Sequence, residues 1–481
     1  MHLMRALGVI LMVSLAGQSV LAAPAAGPLR ASADNPRYFA DADGRIVFLT
    51  GFHSWSNLKD MGPTDPPPEF DYPGYLDMLE RYGHNFIRLW TWELARYSYD
   101  SYRTGPVWTA QFPWPRTGPG AALDGKPRFD LNRLDPAYFD RLRARVIAAG
   151  ERGMYVSVML FEGHGLHASD APWCWDGHPF NAANNINGID GDPDGDGRGI
   201  ETHTLQLPAI TAIQEAYVRK VIETVNDLDN VLYEIANESG NYSTQWQYHM
   251  IDFIHEQEQA LPKQHPVGMT FQWCAGERRG TNQALFDSPA DWISPNPAGG
   301  YRDNPPAAAG AKVIITDTDH LWGIGGNQAW VWKSFCRGMN PIFMDPCGPP
   351  IESPTPASDR SAWIDPLTGL SRLDPKWDPV RLALGHTLRL ARRMDLARAV
   401  PHDALASTGY CLAQPGVEYL VYAPEGGDIT VDLSGVEGTF AGEWFDPSAG
   451  EVAGTLTAEA GAARTFSAPF AGDAVLYLHR P

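Results

Sequence analysis

Residues 230–240, NVLYEIANESG, form a short apolar run that ends in two polar residues, Asn237 and Glu238. A nearly continuous apolar run of this length is typical of a strand that is buried on both faces of a parallel sheet. Seven further runs have the same form: RIVFLTGFHSW (45–55), HNFIRLWTWE (84–93), MYVSVMLFEGHG (154–165), HPVGMTFQW (265–273), DWISPNP (291–297), KVIITDTDHLW (312–322) and NPIFMDPCG (340–348).

Amphipathic stretches separate several of these runs, at residues 72–83, 136–153 and 209–227, with apolar residues three and four positions apart. Strands that alternate with helices indicate a parallel sheet, and eight such strands close a (β/α)₈ TIM barrel. The sequence therefore predicts this barrel over residues 34–398, with an insertion at about 163–206. Its active site is expected at the carboxyl ends of the strands.

The ends of the eight runs carry polar and aromatic side chains that can meet at one rim. The chain has 16 tryptophans, many of them at strand ends, and this is more than core packing requires. Flat indole faces suit the apolar faces of sugar rings, while carboxylates and amides bind hydroxyl groups. The candidate substrate-binding residues are Asn237, Arg88, His53, Trp55, Trp90, Trp92, Glu162, His164, Trp175, Trp273, His320 and Trp322.

The run at 230–240 resembles the fourth strand of the clan A glycoside hydrolases, in which an apolar strand ends in Asn-Glu. This resemblance implies that Glu238 is the general acid/base and that Asn237 binds a sugar hydroxyl group. The run at 84–93 resembles the second strand of the same clan, which implies that Arg88 braces the nucleophile. The resemblance covers roughly residues 34–395, is closest to the family 5 type, and implies retention of configuration without a cofactor.

The run at 312–322 departs from the clan pattern, because it ends in Asp317 and Asp319 where the clan usually has a nucleophilic Glu. Three interpretations are open: a capped turn, a metal site that includes His320, or half of a catalytic carboxylate pair. Alternation along a strand lets both aspartates face the same way. We favour Asp317, which lies nearest the strand end, as the nucleophile, with Asp319 and His320 as hydrogen-bonding support.

The shorter side chain of Asp leaves the stereochemical outcome open. Carboxyl groups about 5 Å apart predict retention, and a gap of roughly 6.5 to 9.5 Å predicts inversion. In either case one carboxyl must be protonated and the other ionised. The sequence therefore predicts a glycoside hydrolase that cleaves O-glycosidic bonds in plant or microbial glycans.

Two other functions remain open at this stage. The protein could be a non-catalytic glycan-binding protein on a barrel scaffold, in which case Glu238 and the strand 7 acids would lie too far apart to cooperate. It could also be a metal-dependent hydrolase with Asp317, Asp319 and His320 as ligands, although these three are local in sequence and no second cluster at ligand spacing is evident.

The loop DGDPDGDGRGIE (190–201) matches the spacing D-x-D-x-D-G-x5-E, which arranges oxygen ligands around calcium. Gly197 replaces the usual hydrophobic residue and no helix precedes the loop, so a flexible acidic loop is the alternative interpretation. The candidate ligands for a structural calcium ion are Asp190, Asp192, Asp194, Asp196 and Glu201.

The composition limits the partners and the compartment. A net charge of -20 repels nucleic acid and anionic lipid, so an oligo- or polysaccharide is the better partner. Residues 1–22 have the layout of a secretory signal, which predicts a secreted or periplasmic protein, and no later run suits membrane insertion. Five cysteines without CxxC spacing allow one or two disulfides and leave at least one thiol free.

The pattern changes after the helical stretch 378–398. Short alternating strands separated by Gly and Pro turns predict a small β-sandwich over residues 403–481. The motifs EWFDPSAGE, SAPF and DAVLYL resemble the small domain of bacterial glycosidases that is named "putative collagen-binding". This name is poor evidence for collagen, and the resemblance implies a structural or accessory domain that packs against the barrel.

Overall fold

The computed structural model describes residues 24–62, 64–97, 107–167, 174–345 and 375–481. Eight parallel strands form one sheet in which β1 pairs with β8 and the others pair in chain order. The predicted barrel is thereby confirmed. The strands are β1 Gly51–His53, β2 Phe86–Leu89, β3 Tyr155–Glu162, β4 Val231–Asn237, β5 Val267–Thr270, β6 Trp292–Ser294, β7 Val313–Asp317 and β8 Asn340–Met344.

The seam between β1 and β2 is closed by one asparagine. The backbone N–H of Asn85 donates to the carbonyl of Thr50, and the Asn85 side-chain oxygen accepts the Thr50 N–H, both at 3.0 Å. The run at 45–55 contributes only β1 to the barrel. Its earlier part, Ile46–Val47, pairs instead with Phe39–Ala40 in a small antiparallel sheet that also contains Arg30–Ala31.

The barrel interior is built in layers. Side chains two residues apart on a strand face the same way, so Phe86, Leu232 and Ile315 lie one step below Arg88, Glu234 and Asp317 on the same strands. The lower layer is apolar and fully buried, and it also contains Trp292. An apolar plug therefore closes the barrel beneath a layer of charged residues.

A glycine makes room for the largest side chain in this plug. Gly268 is opposite Trp292 in the β5–β6 register, and a Cβ at residue 268 would lie 1.9 Å from the indole. Any larger residue would force the indole or the strand to move. Gly268 therefore belongs to the packing of the barrel rather than to a turn.

The helices surround the barrel, and the three amphipathic stretches form helices as expected. Asp71 and Asp135 cap the first two by accepting backbone N–H groups of the first turn. The helices are α1 Tyr72–Tyr82, α2 Pro136–Glu151, α3 Pro208–Val225, α4 Thr244–Gln259, α5 Asn282–Asp287, α6 Gln328–Cys336 and α7 Asp378–Ala391. Two short helical turns, His164–His167 and Thr318–Trp322, lie at the carboxyl ends of β3 and β7.

Extra strands lie at the rim outside the barrel. Met61–Gly62, Val107–Thr109 and Arg96–Tyr97 form one antiparallel sheet, and Arg116–Ala121 pairs with Pro127–Phe129. These segments, together with the insertion between β3 and α3, build up one side of the barrel mouth.

The C-terminal region is a separate antiparallel domain. Six strands form a sheet in the order β9-β10-β11-β16-β13-β14, and β12 pairs with β15 as a two-stranded second layer. The strands are β9 Val400–Pro401, β10 Cys411–Gln414, β11 Glu418–Ala423, β12 Asp428–Asp432, β13 Thr439–Asp446, β14 Glu451–Glu459, β15 Ala463–Ser467 and β16 Ala474–His479.

Both faces of the six-stranded sheet are buried at its central strands β11 and β16. On β11, Val421 points into the core shared with the two-stranded layer, whereas Leu420 and Tyr422 join the barrel core. Trp332 of α6 stacks on Tyr422, with ring centroids 6.1 Å apart, and contacts Phe445. The domain therefore packs against the barrel through an aromatic contact, as the resemblance implied.

Three further expectations concern the cysteines, the secretory signal and membrane spans. Cys274, Cys336 and Cys411 are buried free thiols in the described part of the chain, Cys174 is also buried, and Cys347 lies outside the described residues. The candidate secretory signal, residues 1–22, also lies outside them. Within the described ranges, no helix has both the length and the apolarity that a membrane span requires.

Candidate active site

A cavity of about 300 Å³ opens at the carboxyl ends of the barrel strands. Eleven residues that the sequence singled out line it: Trp55, Trp90, Trp92, Glu162, His164, Asn237, Glu238, Trp273, Asp319, His320 and Trp322. The remaining lining residues were not predicted: Phe271, Arg279, Pro297, Leu321, Gly323, Ile324 and Met344. Most of these follow β5, β6 and β7 in loops whose paths cannot be derived from an apolar pattern.

Glu238 enters the cavity directly after β4. Its φ of +49° lies in the left-handed region, which side chains other than glycine rarely adopt, so the backbone is strained at this residue. The Glu238 carbonyl accepts a hydrogen bond from His167 Nε2 at 2.6 Å, and its carboxyl lies 3.9 Å from His164 Nε2. Surrounding contacts therefore hold a strained conformation that points the carboxyl into the cavity.

Asp317 and Asp319 occupy different environments. Asp319 lines the cavity, whereas Asp317 is fully buried beneath it. Asp317 caps the turn Thr318–Trp322 by accepting the backbone N–H of Asp319 at 2.9 Å. It also forms hydrogen bonds with His53 Nε2 at 2.9 Å and Arg88 Nη1 at 2.7 Å. The cap interpretation thus describes Asp317, while Asp319 is the strand 7 acid that faces the cavity.

Arg88 connects the charged groups of the site. Its guanidinium donates to Glu234 in a bidentate pair at 2.6 and 2.9 Å, to Asp317 at 2.7 Å, to Asp319 at 3.2 Å and to Asn237 Oδ1 at 2.9 Å. Both Arg88 and Glu234 are essentially unexposed. The buried cation therefore fixes an acid from β4 and both acids that follow β7 in one network.

Glu234 is the main residue that the sequence analysis missed. It lies inside the run NVLYEIANESG, which was interpreted as one nearly continuous buried strand without separate attention to this acid. A signal was present, since Glu234 is four residues before Glu238 and has the parity of an inward-facing position. A buried acid in mid-strand requires a cation, and Arg88 at the same depth on β2 supplies it.

Asn237 and His320 complete the floor of the cavity. Asn237 Oδ1 accepts from Arg88, and His320 Nε2 lies 3.3 Å from the same oxygen. Because arginine only donates, the amide oxygen must face Arg88 and the Asn237 NH₂ group is left for other acceptors. His320 Nδ1 is hydrogen-bonded to Ser294 Oγ at 2.7 Å.

The acids of the cavity differ in their proton affinity. Burial, followed by the charges of Asp319 and Glu162, raises the pKa of Glu238 well above its ordinary value. Burial and then the charge of Asp317 raise the pKa of Asp319 to about 6, against the opposing effect of Arg88. Burial also disfavours the charged form of Asp317, but His53 and Arg88 outweigh it and hold that pKa below the usual range. These shifts favour the protonated form of Glu238 and the ionised form of Asp317, while Asp319 lies between the two.

Glu162 is a third carboxyl group in the cavity wall. Its two oxygens accept the backbone N–H groups of His164 at 2.7 Å and Gly165 at 3.1 Å. Burial nevertheless raises the pKa of Glu162 to about 8. In the strand register Glu162 lies opposite Asn237, so it is placed to bind substrate beside the Asn-Glu pair.

All but one of the predicted tryptophans line the cavity. Trp55, Trp90 and Trp92 form a contiguous aromatic wall with ring centroids 5.9 to 6.4 Å apart. Trp175, by contrast, does not line the cavity. It is buried within the insertion, stacked on His178 at 4.9 Å, and directly beneath Gly199. Its role is to pack the insertion, because the indole fills space that a side chain at residue 199 would occupy.

His53 and Arg88 also lie behind the cavity wall rather than in it. His53 is buried, stacks on Trp90 with centroids 5.4 Å apart, and contacts Asp317. Both residues are therefore placed to orient the acids and the aromatic wall, and not to touch a sugar.

The acidic loop brings three of its five predicted ligands together. One oxygen each from Asp192, Asp194 and Glu201 lies within 4.8 Å of the others. Asp190 and Asp196 are not in this group. They accept the backbone N–H groups of Asp192 and Arg198 and so shape the turns of the loop.

Comparisons with known proteins agree with this architecture. A search of curated proteins finds no match. A family model described as a domain of unknown function (DUF6298) matches residues 95–272, and one described as "Putative collagen-binding domain of a collagenase" matches residues 400–479. Neither model covers half of the chain.

Solved structures match over nearly the whole length. A glycoside hydrolase family 5 structure from Bacteroides vulgatus ATCC 8482 has 14% identity and a TM-score of 0.60, covering 94% of each chain. A second structure from that organism, described as a "putative glycoside hydrolase", has 13% identity and a TM-score of 0.59, covering 95% of this chain and 82% of its own. At such identities the similarity establishes the fold, and the predicted resemblance to family 5 glycoside hydrolases is confirmed at that level.

The network around Arg88 predicts a large stability loss when Glu234 is removed. In Glu234→Ala the buried guanidinium loses its bidentate partner, and breaking a buried pair in this way costs about 3 to 5 kcal/mol. Chemical denaturation of wild type and variant measures this loss. Glu215→Ala removes a half-buried acid paired with His249 at 2.8 Å and should cost about 1 kcal/mol or less. Equal small losses in the two variants would contradict the assignment.

Proposed function

We propose that the protein is a secreted glycoside hydrolase that cleaves O-glycosidic bonds in plant or microbial glycans with retention of configuration. One observation carries the proposal: Glu238 and Asp319, from two different strands, line one tryptophan-walled cavity, in which the pKa of Glu238 is raised well above its ordinary value and that of Asp319 only to about 6. The whole-length fold similarity to glycoside hydrolase structures supports the same conclusion.

In the proposed reaction, Glu238 donates its proton to the glycosidic oxygen while the Asp319 carboxylate attacks the anomeric carbon. The C–O bond to the leaving sugar breaks and an ester between the glycosyl unit and Asp319 forms. The Glu238 carboxylate then takes a proton from water, and this water attacks the anomeric carbon and releases Asp319. Two displacements restore the original configuration.

The nucleophile in this proposal is Asp319, not the Asp317 that the sequence favoured. Asp317 is fully buried and already binds His53, Arg88 and the backbone of Asp319, so no substrate atom can reach it. Its role is to hold Arg88 and the turn that carries Asp319. The proposed nucleophile lies two residues after the predicted one because a helical turn begins directly after β7 and places Asp319 in the cavity.

The substrate is proposed to be neutral glycan. Five cavity-lining tryptophans offer flat apolar faces, and Asn237, Glu162, His164 and His320 offer hydrogen-bonding groups for hydroxyls. The Arg88 guanidinium is already paired with the carboxylates of Glu234, Asp317 and Asp319. An anionic sugar would therefore meet net negative charge at the floor of the cavity.

The two alternative functions are less well supported. A binding protein with no activity requires the acids to be apart, whereas Glu238 and Asp319 share one cavity. A metal site at Asp317, Asp319 and His320 requires a cation among these acids, and the Arg88 guanidinium already donates to both aspartates. We therefore keep the two-carboxylate mechanism as the proposed function.

The test of the proposed function is reducing-sugar release from a panel of plant and bacterial polysaccharides. Glu238→Ala should lose about 10²- to 10⁴-fold in rate. Asp319→Ala should be inactive, and Asp317→Asn should keep measurable activity because it leaves the nucleophile in place. If wild type cleaves a glycan and Asp319→Ala does so equally well, the assignment is wrong.

The pH dependence of kcat/KM gives an independent test, since it reports the free enzyme's acid and base. Activity should rise with pH through about 6 as Asp319 loses its proton, and fall at higher pH as Glu238, whose pKa is raised, ionises. Asp317→Asn removes a negative charge that raises the pKa of Asp319, so its acid limb should move to lower pH. An unchanged or higher acid limb in this variant would contradict the charge arrangement.

We further propose a structural calcium ion in the acidic loop, bound by Asp192, Asp194 and Glu201. Carboxylate oxygens are the ligands that calcium prefers, and three negative groups this close repel one another unless a cation lies between them. Asp192 Oδ1 and Glu201 Oε2 are buried atoms without a hydrogen-bond partner, which suits a ligand role. Gly195, with a φ of +71°, provides the turn of the loop.

Chelation should therefore lower the melting temperature of the wild-type protein by a few degrees, and added calcium should restore it. Glu201→Gln should melt at the lower temperature in both conditions, because it lacks a ligand. Asp190→Asn is the matched control from the same loop and should keep the calcium response. A wild-type melting temperature that ignores EGTA and calcium would refute the site.

A further inference from the structure

A second buried network of ionisable residues lies behind the cavity wall. Glu93 Oε2 accepts hydrogen bonds from His203 Nε2 at 2.9 Å and from the backbone N–H of Glu162 at 3.0 Å. His178 Nε2 lies 3.7 Å from the other Glu93 oxygen. On its opposite side, His203 Nδ1 is hydrogen-bonded to Ser239 Oγ at 2.8 Å. The proposed reaction uses none of Glu93, His203 and Ser239.

Ser239, His203 and Glu93 are the residue types of a nucleophilic triad, but their burial excludes that use. Ser239 and His203 are both 0% exposed and Glu93 is 7% exposed. None of the three lines the cavity. A nucleophile must reach its substrate, so this constellation must act on other protein groups.

The group it acts on is the backbone that carries Glu238. Ser239 directly follows Glu238, whose backbone φ is +49°. On the other side, the Glu238 carbonyl accepts from His167 at 2.6 Å. Gly163 packs so closely that a Cβ there would lie 2.1 Å from Ser239 Oγ. The strained residue is therefore held at its carbonyl and at the side chain of its neighbour.

His203 is itself fixed in orientation. Its ring stacks on Trp246, with centroids 4.5 Å apart and an angle of 13° between the planes. An ionised Glu93 requires a donor, so Nε2 of His203 carries a proton and Nδ1 faces the Ser239 hydroxyl. Burial disfavours the Glu93 charge, but His203 and His178 outweigh it and keep the pKa of Glu93 low. The ring therefore has one orientation that serves both partners.

We propose that His203, oriented by Glu93, is a positioning residue that acts through Ser239 to hold the carboxyl of Glu238 in place for proton donation. This inference rests on the proposed function, because it assumes that Glu238 is the general acid. It assigns a task to the insertion between β3 and α3, which supplies His203. The insertion then helps to position the general acid, in addition to forming a wall of the cleft.

The test compares two substrates that differ only in their need for an acid. The probes are the 2,4-dinitrophenyl and phenyl glycosides of the sugar that the enzyme releases from the panel glycan. The dinitrophenolate leaves without protonation, whereas phenolate departure needs the general acid. His203→Ala should lower kcat/KM, which reports the first displacement, about 10- to 100-fold on the phenyl glycoside and less than about 3-fold on the dinitrophenyl glycoside.

Further variants separate positioning from folding. Ser239→Ala removes only the hydroxyl group and should show the same substrate dependence. His203→Gln, which can donate to Glu93 and accept from Ser239, should recover part of the loss. His249→Ala breaks the remote pair with Glu215 and should change neither rate. Melting temperatures identify any variant whose loss comes from misfolding.

The outcomes distinguish this inference from the proposed function. Glu238→Ala is measured on the same two probes and should lose far more rate on the phenyl glycoside. If it does not, Glu238 is not the acid, and the proposed function falls together with this inference. If Glu238→Ala shows the difference but His203→Ala and Ser239→Ala lose rate equally on both probes, or on neither, only the positioning role is wrong.

Discussion

The buried guanidinium of Arg88 is the constraint on which the rest of the site depends. A charge that is removed from water must be compensated by acceptors, and Glu234, Asp317, Asp319 and Asn237 provide them. Glu234 and Asp317 lie deepest and are fully paired. Among the described residues, Arg88 is the one side chain that donates a hydrogen bond to Asp319, which remains at the cavity surface, where a substrate can reach it.

Because Arg88 pairs unequally with the carboxyl groups of the site, their pKa values also differ. The single cation stabilises the charges nearest to it, so Asp317 stays ionised and Asp319 ionises near neutral pH. Glu238 has no cation at hydrogen-bonding distance among the described residues, and burial, followed by the charges of Asp319 and Glu162, raises its pKa. One arginine at the centre of the barrel thereby creates an acid and a base from two similar carboxyl groups.

The fold was predictable because each strand that is buried on both faces appears in the sequence as a short apolar run. Eight apolar runs coincide with the eight barrel strands, and most of the polar residues that end them meet at one cavity. The exceptions have physical causes. Glu234 escaped because one inward-facing acid does not interrupt a buried strand, and Trp175 was misassigned because packing within a long insertion follows no periodicity. The choice between Asp317 and Asp319 depended on where a short helical turn begins, which local alternation does not specify.

We propose Asp319, and not Asp317, as the nucleophile opposite a protonated Glu238. Mass spectrometry of the protein after incubation with a 2,4-dinitrophenyl 2-deoxy-2-fluoro-glycoside tests this assignment directly, because the fluorine slows release of the glycosyl-enzyme. One adduct is expected, located on Asp319 by peptide mapping. An adduct on Asp317 or Glu238, or no adduct from an enzyme that hydrolyses its glycan with inversion, would contradict it.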